Sequence, residues 1–154
     1  MHEFYSKIEL NQPIDTVFKF FNSPKNLEQL MPPFMGFSLL TPGELVMQQG
    51  AVFDYMVTVF GLPNRWTTYI SEYNPPYSFS DIQLKGPNSY WHHVHRFEST
   101  GKTTTIVTDH IHYLLPFGLI GKIGNAIVMK PIIKKLFNHR TNVIEKTFGS
   151  VKHL

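Results

Sequence analysis

Residues 3–10 set Phe4, Ile8 and Leu10 among Ser6, Lys7 and Glu9, an imperfect period-two alternation that predicts a first strand ending at Asn11. The period then changes. Pro13 suits a first helical turn, Asp15 favours its positive end, and Val17, Phe18, Phe20 and Phe21 supply an apolar face for a short helix closed by Asn22. Ser23 with Pro24 opens a second short helix, carried by Leu27 and Leu30 and stopped by Met31, Pro32 and Pro33. From residue 34 to 114 strand-like runs alternate with glycine, proline and asparagine breaks, giving six further strands at 34–40, 51–60, 65–73, 77–84, 90–99 and 103–114. Links this short favour antiparallel pairing, since parallel neighbours need crossovers of about a dozen residues. After Pro116 the helical period returns through Leu119, Ile123, Ile127, Ile133, Leu136, Phe137, Val143, Ile144 and Phe148, with Pro131 expected to kink or split the helix. The segment 118–124, with glycines three apart, reads as a hinge or close-packing stretch and not as a dinucleotide loop.

Composition narrows the class. The 154 residues suit one domain, 1–154, with a core of its own. Charged residues are 16% and aromatics 14%, against a usual charged share of about 25%, so the interior is expected to be large and aromatic. The absence of cysteine excludes disulfides, thiolate metal sites, iron–sulfur clusters and cysteine nucleophiles together. A formal charge of +3, without a run of like charges, gives no reason to expect nucleic acid. The first residues lack a basic start followed by an apolar run, which places the protein in the cytoplasm by expectation. The apolar stretch 114–133 is interrupted by Pro116, Lys122, Asn125, Lys130 and Pro131, unlike a membrane span. Serine-nucleophile, phosphate-loop and helical His-Glu-x-x-His motifs are missing.

The element order is α+β: one strand, two short helices, six antiparallel strands and a long C-terminal helix, hence a curved seven-stranded sheet around that helix. The run Gln12-Pro13-Ile14-Asp15-Thr16-Val17-Phe18 and the run Phe21-Asn22-Ser23-Pro24-Lys25-Asn26-Leu27 resemble the opening of the START-like, helix-grip superfamily. Trp66-Thr67-Thr68-Tyr69-Ile70, Phe79-Ser80-Asp81-Ile82-Gln83, Gly86-Pro87, the Trp91-x-His93-x-His95-x-Phe97 pattern and the stretch from Asp109 through Tyr113 to Pro116-Phe117-Gly118 resemble its bacterial SRPBCC, polyketide cyclase/dehydrase-like ligand-binding branch. The resemblance covers nearly the whole chain. It implies a cavity between sheet and final helix for a small, largely apolar or lipid-like molecule, in a superfamily that includes carriers, receptors and aromatic cyclases.

Parity identifies the residues that could do chemistry. On the strand 90–99, Trp91, His93, His95 and Phe97 share one face, with His92, Val94 and Arg96 on the other. On the next strand Val107, Asp109, Ile111 and Tyr113 form the more apolar face, so His110 and His112 point outward and Asp109 falls opposite His93 or a neighbour one pair away. Trp66, Asp81 and Gln83 join these as candidate ligand contacts, and Arg65 is assigned to solvent. Three readings of His93, His95 and Asp109 remain open: a buried polar network, a ligand anchor or general acid–base pair, and a metal site lacking an evident fourth ligand.

The leading expectation is a non-enzymatic binding or carrier protein needing no metal or cofactor. The alternatives are a cofactor-free cyclase, dehydratase or isomerase acting on a hydrophobic carbonyl compound, and a regulatory module docking to a membrane or protein. The last rests on Lys130, Lys134, Lys135, Arg140 and Lys146, which otherwise read as a solvated helix face.

Overall fold

A computed structural model describes residues 1–59, 61–116 and 124–154. The strand β1 (His2–Leu10) is followed by helices α1 (Ile14–Phe21) and α2 (Pro24–Leu30) and a 3-10 turn at Pro33–Met35. Strands β2 (Ser38–Leu39), β3 (Val52–Val59), β4 (Leu62–Asn74), β5 (Ser78–Lys85), β6 (Tyr90–Gly101) and β7 (Thr104–Leu114) come next. A π-helical turn at Asn125–Met129 leads into α3 (Lys130–Phe148), and β8 (Val151–His153) closes the chain. All described pairings are antiparallel, in the order β2-β3-β4-β5-β6-β7-β1-β8. The meander carries β2 to β7, and β1 returns to pair with β7.

Two features differ from the sequence expectation. The strand expected at 34–40 shrinks to Ser38–Leu39, because Pro33 begins a 3-10 turn that consumes its first residues. An eighth strand follows the last helix: Gly149 leaves α3 with φ +91°, a conformation that favours glycine, and Val151 and His153 pair with Leu10 and Ile8. Three residues show no readable period, so β8 is invisible to pattern analysis. Pro131 marks the change from π turn to α-helix. It lies at the first turn of α3, directly after the wider π turn, where its missing N–H and its ring are accommodated without breaking the α-helical bonds that follow. The expected helical positions Leu119 and Ile123 and most of the hinge segment 118–124 lie outside the described residues. Among the described residues, no helix is long and apolar enough to cross a membrane.

The inner face of the sheet carries two apolar clusters. One joins Ile8, Leu10, Val17, Phe18, Phe21, Phe79, Phe97, Val107 and Ile144 beneath α1 and the end of α3. Its aromatic rings meet edge to face, with Phe18 5.2 Å from Phe97 and 6.0 Å from Phe79 between centroids. The other joins Val57, Trp66, Trp91, Ile111, Tyr113, Met129, Ile133 and Phe137 under the start of α3. The helix spacing explains both: Ile133, Phe137, Arg140 and Ile144 are its buried residues, separated by four, three and four positions along one stripe.

Phe97 is buried with Phe18, Phe21 and Phe79 around it, so Phe97→Ala is expected to cost about 3–5 kcal/mol of stability in urea unfolding. A loss below about 1 kcal/mol would show that this cluster does not hold α1 to the sheet.

Candidate functional site

Between the two apolar clusters a row of polar side chains crosses the sheet. On β6, Trp91 belongs to one cluster and Phe97 to the other, with His93 and His95 between them. On β7 the same sequence runs Ile111, Asp109, Val107, and on α3 it runs Phe137, Arg140, Ile144. Strand register fixes the row: Asp109 pairs with His95 on one side and Ser6 on the other, and Asp81 pairs with His93. These groups meet because each strand keeps the same face inward.

Asp109 is the hub. Its Oδ1 accepts a hydrogen bond from His93 Nε2 at 2.9 Å, and Arg140 Nη2 is 3.7 Å from the same oxygen. His95 Nδ1 is also only 2.8 Å from Oδ1, but out of alignment for a directed hydrogen bond, so this contact is electrostatic. Burial opposes ionisation of Asp109, yet the Arg140 guanidinium and the two imidazoles hold its carboxyl well below the usual range. An ionised carboxylate only accepts, so His93 donates through Nε2 and its Nδ1 carries the lone pair. Burial and the neighbouring His95 push the His93 pKa down to about 4, against the pull of Asp109. For His95 burial also opposes the charged form, but the flanking carboxylates Asp109 and Asp81 overcome it and raise the pKa. The two imidazole centroids are 3.8 Å apart, and His95 stacks on Phe79 at 4.3 Å.

Arg140 corrects the sequence reading that placed it on a solvated face. It is 8% exposed, with its guanidinium carbon 4.9 Å from the Phe137 ring centroid and 5.7 Å from that of Phe21. Counting charges along α3 hid it, whereas its spacing from Ile133, Phe137 and Ile144 marks the buried stripe.

Between the sheet and α3, from Trp66 and Trp91 across to Phe21 and Phe79, the interior is hollow, a cavity of about 680 Å³. Its wall includes Trp66, Asp81, Trp91, His93 and His95 among the candidate ligand contacts, with Arg140 at the same polar end. Asp109, Phe97 and Tyr113 are not on the wall: Asp109 holds the histidines from behind, and Phe97 and Tyr113 are packed within the two clusters. Gln83 is also absent from it. Its amide donates to the Asn88 carbonyl at 2.6 Å and accepts from Asn88 Nδ2 at 3.2 Å, bracing the β5–β6 turn. Glycine at 86 makes room for this brace, since a Cβ there would fall 2.5 Å from Gln83 Oε1.

Sequence reasoning missed two further polar features of the wall. Among the described residues the buried Trp66 indole N–H has no hydrogen-bond partner, and the Tyr55 hydroxyl lies 2.8 Å from Thr68 Oγ1, with burial pushing the phenol pKa up. Arg65 faces away and pairs with Asp54 at 2.7 Å. On the outer face of the sheet, His110 Nε2 is 3.3 Å and His112 Nε2 3.9 Å from Glu3 carboxylate oxygens.

This architecture is that of the START-like, helix-grip fold. The chain is similar to a START superfamily protein from Mycobacterium smegmatis, with 11% identity and a TM-score of 0.71 over 96% of this chain and 97% of that one. It is similar to the Zhui aromatase/cyclase of a Streptomyces species, with 15% identity and a TM-score of 0.68 over 95% of each chain. Norcoclaurine synthase from Thalictrum flavum, solved with dopamine and hydroxybenzaldehyde, has 14% identity and a TM-score of 0.63 over 94% of this chain and 87% of that one. No protein-family model and no curated protein matches the sequence. The likeness therefore defines the fold, which is the one that the opening and central motifs resemble.

Removing one partner of a buried ion pair leaves an uncompensated charge. Arg140→Met, of similar length, is expected to cost about 3 kcal/mol in urea unfolding, and adding Asp109→Asn should recover part of that loss. Equal losses in the single and double variants would assign the cost to packing instead.

Proposed function

We propose that the protein binds or carries a small, largely apolar molecule in the cavity between the sheet and α3, with the molecule's polar end at Asp81, His93 and His95. The cavity itself carries this reading. At the slope of about 24 cal/mol per Å³ measured for engineered voids, a dry space of this volume would cost on the order of 16 kcal/mol, above the 5–15 kcal/mol that holds a typical domain together. The space is therefore filled, by water or by a ligand. Water against Val57, Ile111, Ile133 and Phe137 is readily displaced by an apolar body, which gains roughly 25 cal/mol per Å² of surface removed from water. The Trp66 N–H, without a partner among the described residues, offers a donor for an acceptor on the ligand.

A second reading is favoured by the His93–Asp109 hydrogen bond standing at the cavity wall. A cyclase, dehydratase or isomerase acting on a hydrophobic carbonyl compound would use an imidazole oriented by a carboxylate to move a proton, without an organic cofactor. The named activities of two proteins with the same fold, an aromatase/cyclase and norcoclaurine synthase, support it by analogy of fold only.

Organic extraction and native mass spectrometry of freshly purified protein are expected to release a bound amphipathic molecule, and the neutral dye Nile red is expected to bind the emptied protein. Leu136→Trp, which puts a bulky indole in place of an aliphatic side chain on the cavity wall, should weaken dye binding at least about tenfold, equivalent to about 1.4 kcal/mol. If nothing is extracted, and neither the dye nor a panel of apolar acids, alcohols and ketones raises the melting temperature, the binding reading fails. Turnover surviving the loss of His93, His95 and Asp109, once a substrate is identified, would remove the enzymatic one.

A further inference from the structure

At the polar end of the cavity three donor atoms face one point. Asp81 Oδ2 is 3.6 Å from His95 Nε2 and 4.0 Å from His93 Nδ1, and one ligand atom from each of the three side chains lies within 4.8 Å of the others. Both separations are too long for a direct hydrogen bond. A tetrahedral metal about 2.0–2.1 Å from each donor holds them about 3.3 Å apart, so Asp81 Oδ2 would close by about 0.3 Å on His95 Nε2 and about 0.7 Å on His93 Nδ1. The backbone already provides the arrangement: the histidines are two residues apart on β6, and Asp81 pairs with His93 from β5.

The other side of each imidazole supplies an independent observation. His93 Nε2 is hydrogen-bonded to Asp109, and His95 Nδ1 lies against the same oxygen, while Arg140 backs that carboxylate from α3. Metal-binding imidazoles are held in this way, with the distal ring nitrogen against a carboxylate that fixes tautomer and orientation. The carboxylate that faces the cavity is therefore Asp81, and Asp109 stands behind the rings.

We propose that Asp81, His93 and His95 bind a divalent first-row transition metal of the zinc or iron class, with its open coordination position directed into the cavity. Two imidazoles and a carboxylate suit such ions, and three protein ligands leave room for a further donor. With neutral rings, Asp81 and Asp109 outweigh Arg140 by one negative charge, and a divalent ion turns that into one positive charge. The complementary ligand is an otherwise apolar molecule ending in an anionic oxygen: a carboxylate, enolate or phenolate. This choice of ligand rests on the binding role proposed for the cavity, whereas the metal site does not.

Full-length protein, stripped with a chelator and dialysed, is titrated with cobalt(II) and followed by visible absorption and metal analysis. One equivalent is expected to bind. Loss of an outer partner alone weakens metal sites by about 10–100-fold, so Asp81→Asn and His95→Gln should each weaken cobalt at least about a hundredfold. Circular dichroism establishes that the variants fold, and Asp81→Asn, at the less buried position, serves if His95→Gln does not. The double variant His110→Gln, His112→Gln removes the competing outer cluster with Glu3 and should leave binding unchanged. Cobalt binding that survives Asp81→Asn, or that disappears with the outer histidines, overturns the assignment. Failure to bind one equivalent also overturns it, and Nile red in the same sample then tells whether the cavity reading stands or falls with it.

Discussion

A carboxylate in the middle of an apolar interior must find its counter-charges or lose its ionisation. Asp109 is 4% exposed, and what keeps it charged comes from two elements: the imidazoles of β6 and the guanidinium of α3. Apolar contacts alone would let a helix slide or rotate over a sheet at modest cost, because one aliphatic surface resembles another. Arg140 allows no such freedom, since a turn of α3 in either direction would separate it from Asp109 and leave both charges buried and unpaired. The polar row thus sets where the helix lies, and the cavity is the space left beneath its first half once that position is fixed.

The same row divides the labour of the sheet. On one side aromatic rings from α1, β5 and β6 pack on one another, with Phe21 and Phe79 also reaching the cavity wall, and on the other tryptophans, a tyrosine and aliphatic side chains line the rest of the hollow. His93 and His95 stand at the boundary, tied to the packed side through Asp109 and Phe79 and open to the cavity through their other edges. That position suits groups that must be oriented before a ligand arrives.

Much of this was readable from the chain. Alternation on β6 and β7 placed Trp91, His93, His95 and Asp109 on one face, because a period of two leaves no other choice. The first two helices carried their own start and stop residues, and the resemblance to the helix-grip fold agreed with the order of elements. What escaped depends on tertiary context. Gln83 has the parity of a wall residue but turns to the Asn88 loop, a choice made by the space at Gly86. Arg140 was hidden by its charge, although its helical spacing was plain. Which of two carboxylates would face the cavity depended on the pairing register across three strands, which no single segment encodes.

The sheet ends in its two shortest strands, β2 with two residues and β8 with three. Long exposed strand edges recruit further strands from other molecules, and the two caps guard them only in part: β2 pairs with β3 at Tyr55 and Met56, and β8 with β1 at Ile8 to Leu10. A protein with a large apolar hollow has a particular need of this protection, because transient opening would expose hydrophobic surface and unpaired backbone together. Outside the capped stretches β1 carries Glu3 and Lys7 and β3 carries Asp54, charges that oppose pairing with a neighbouring copy's edge, so the topology that makes room for a ligand meets this hazard with charge.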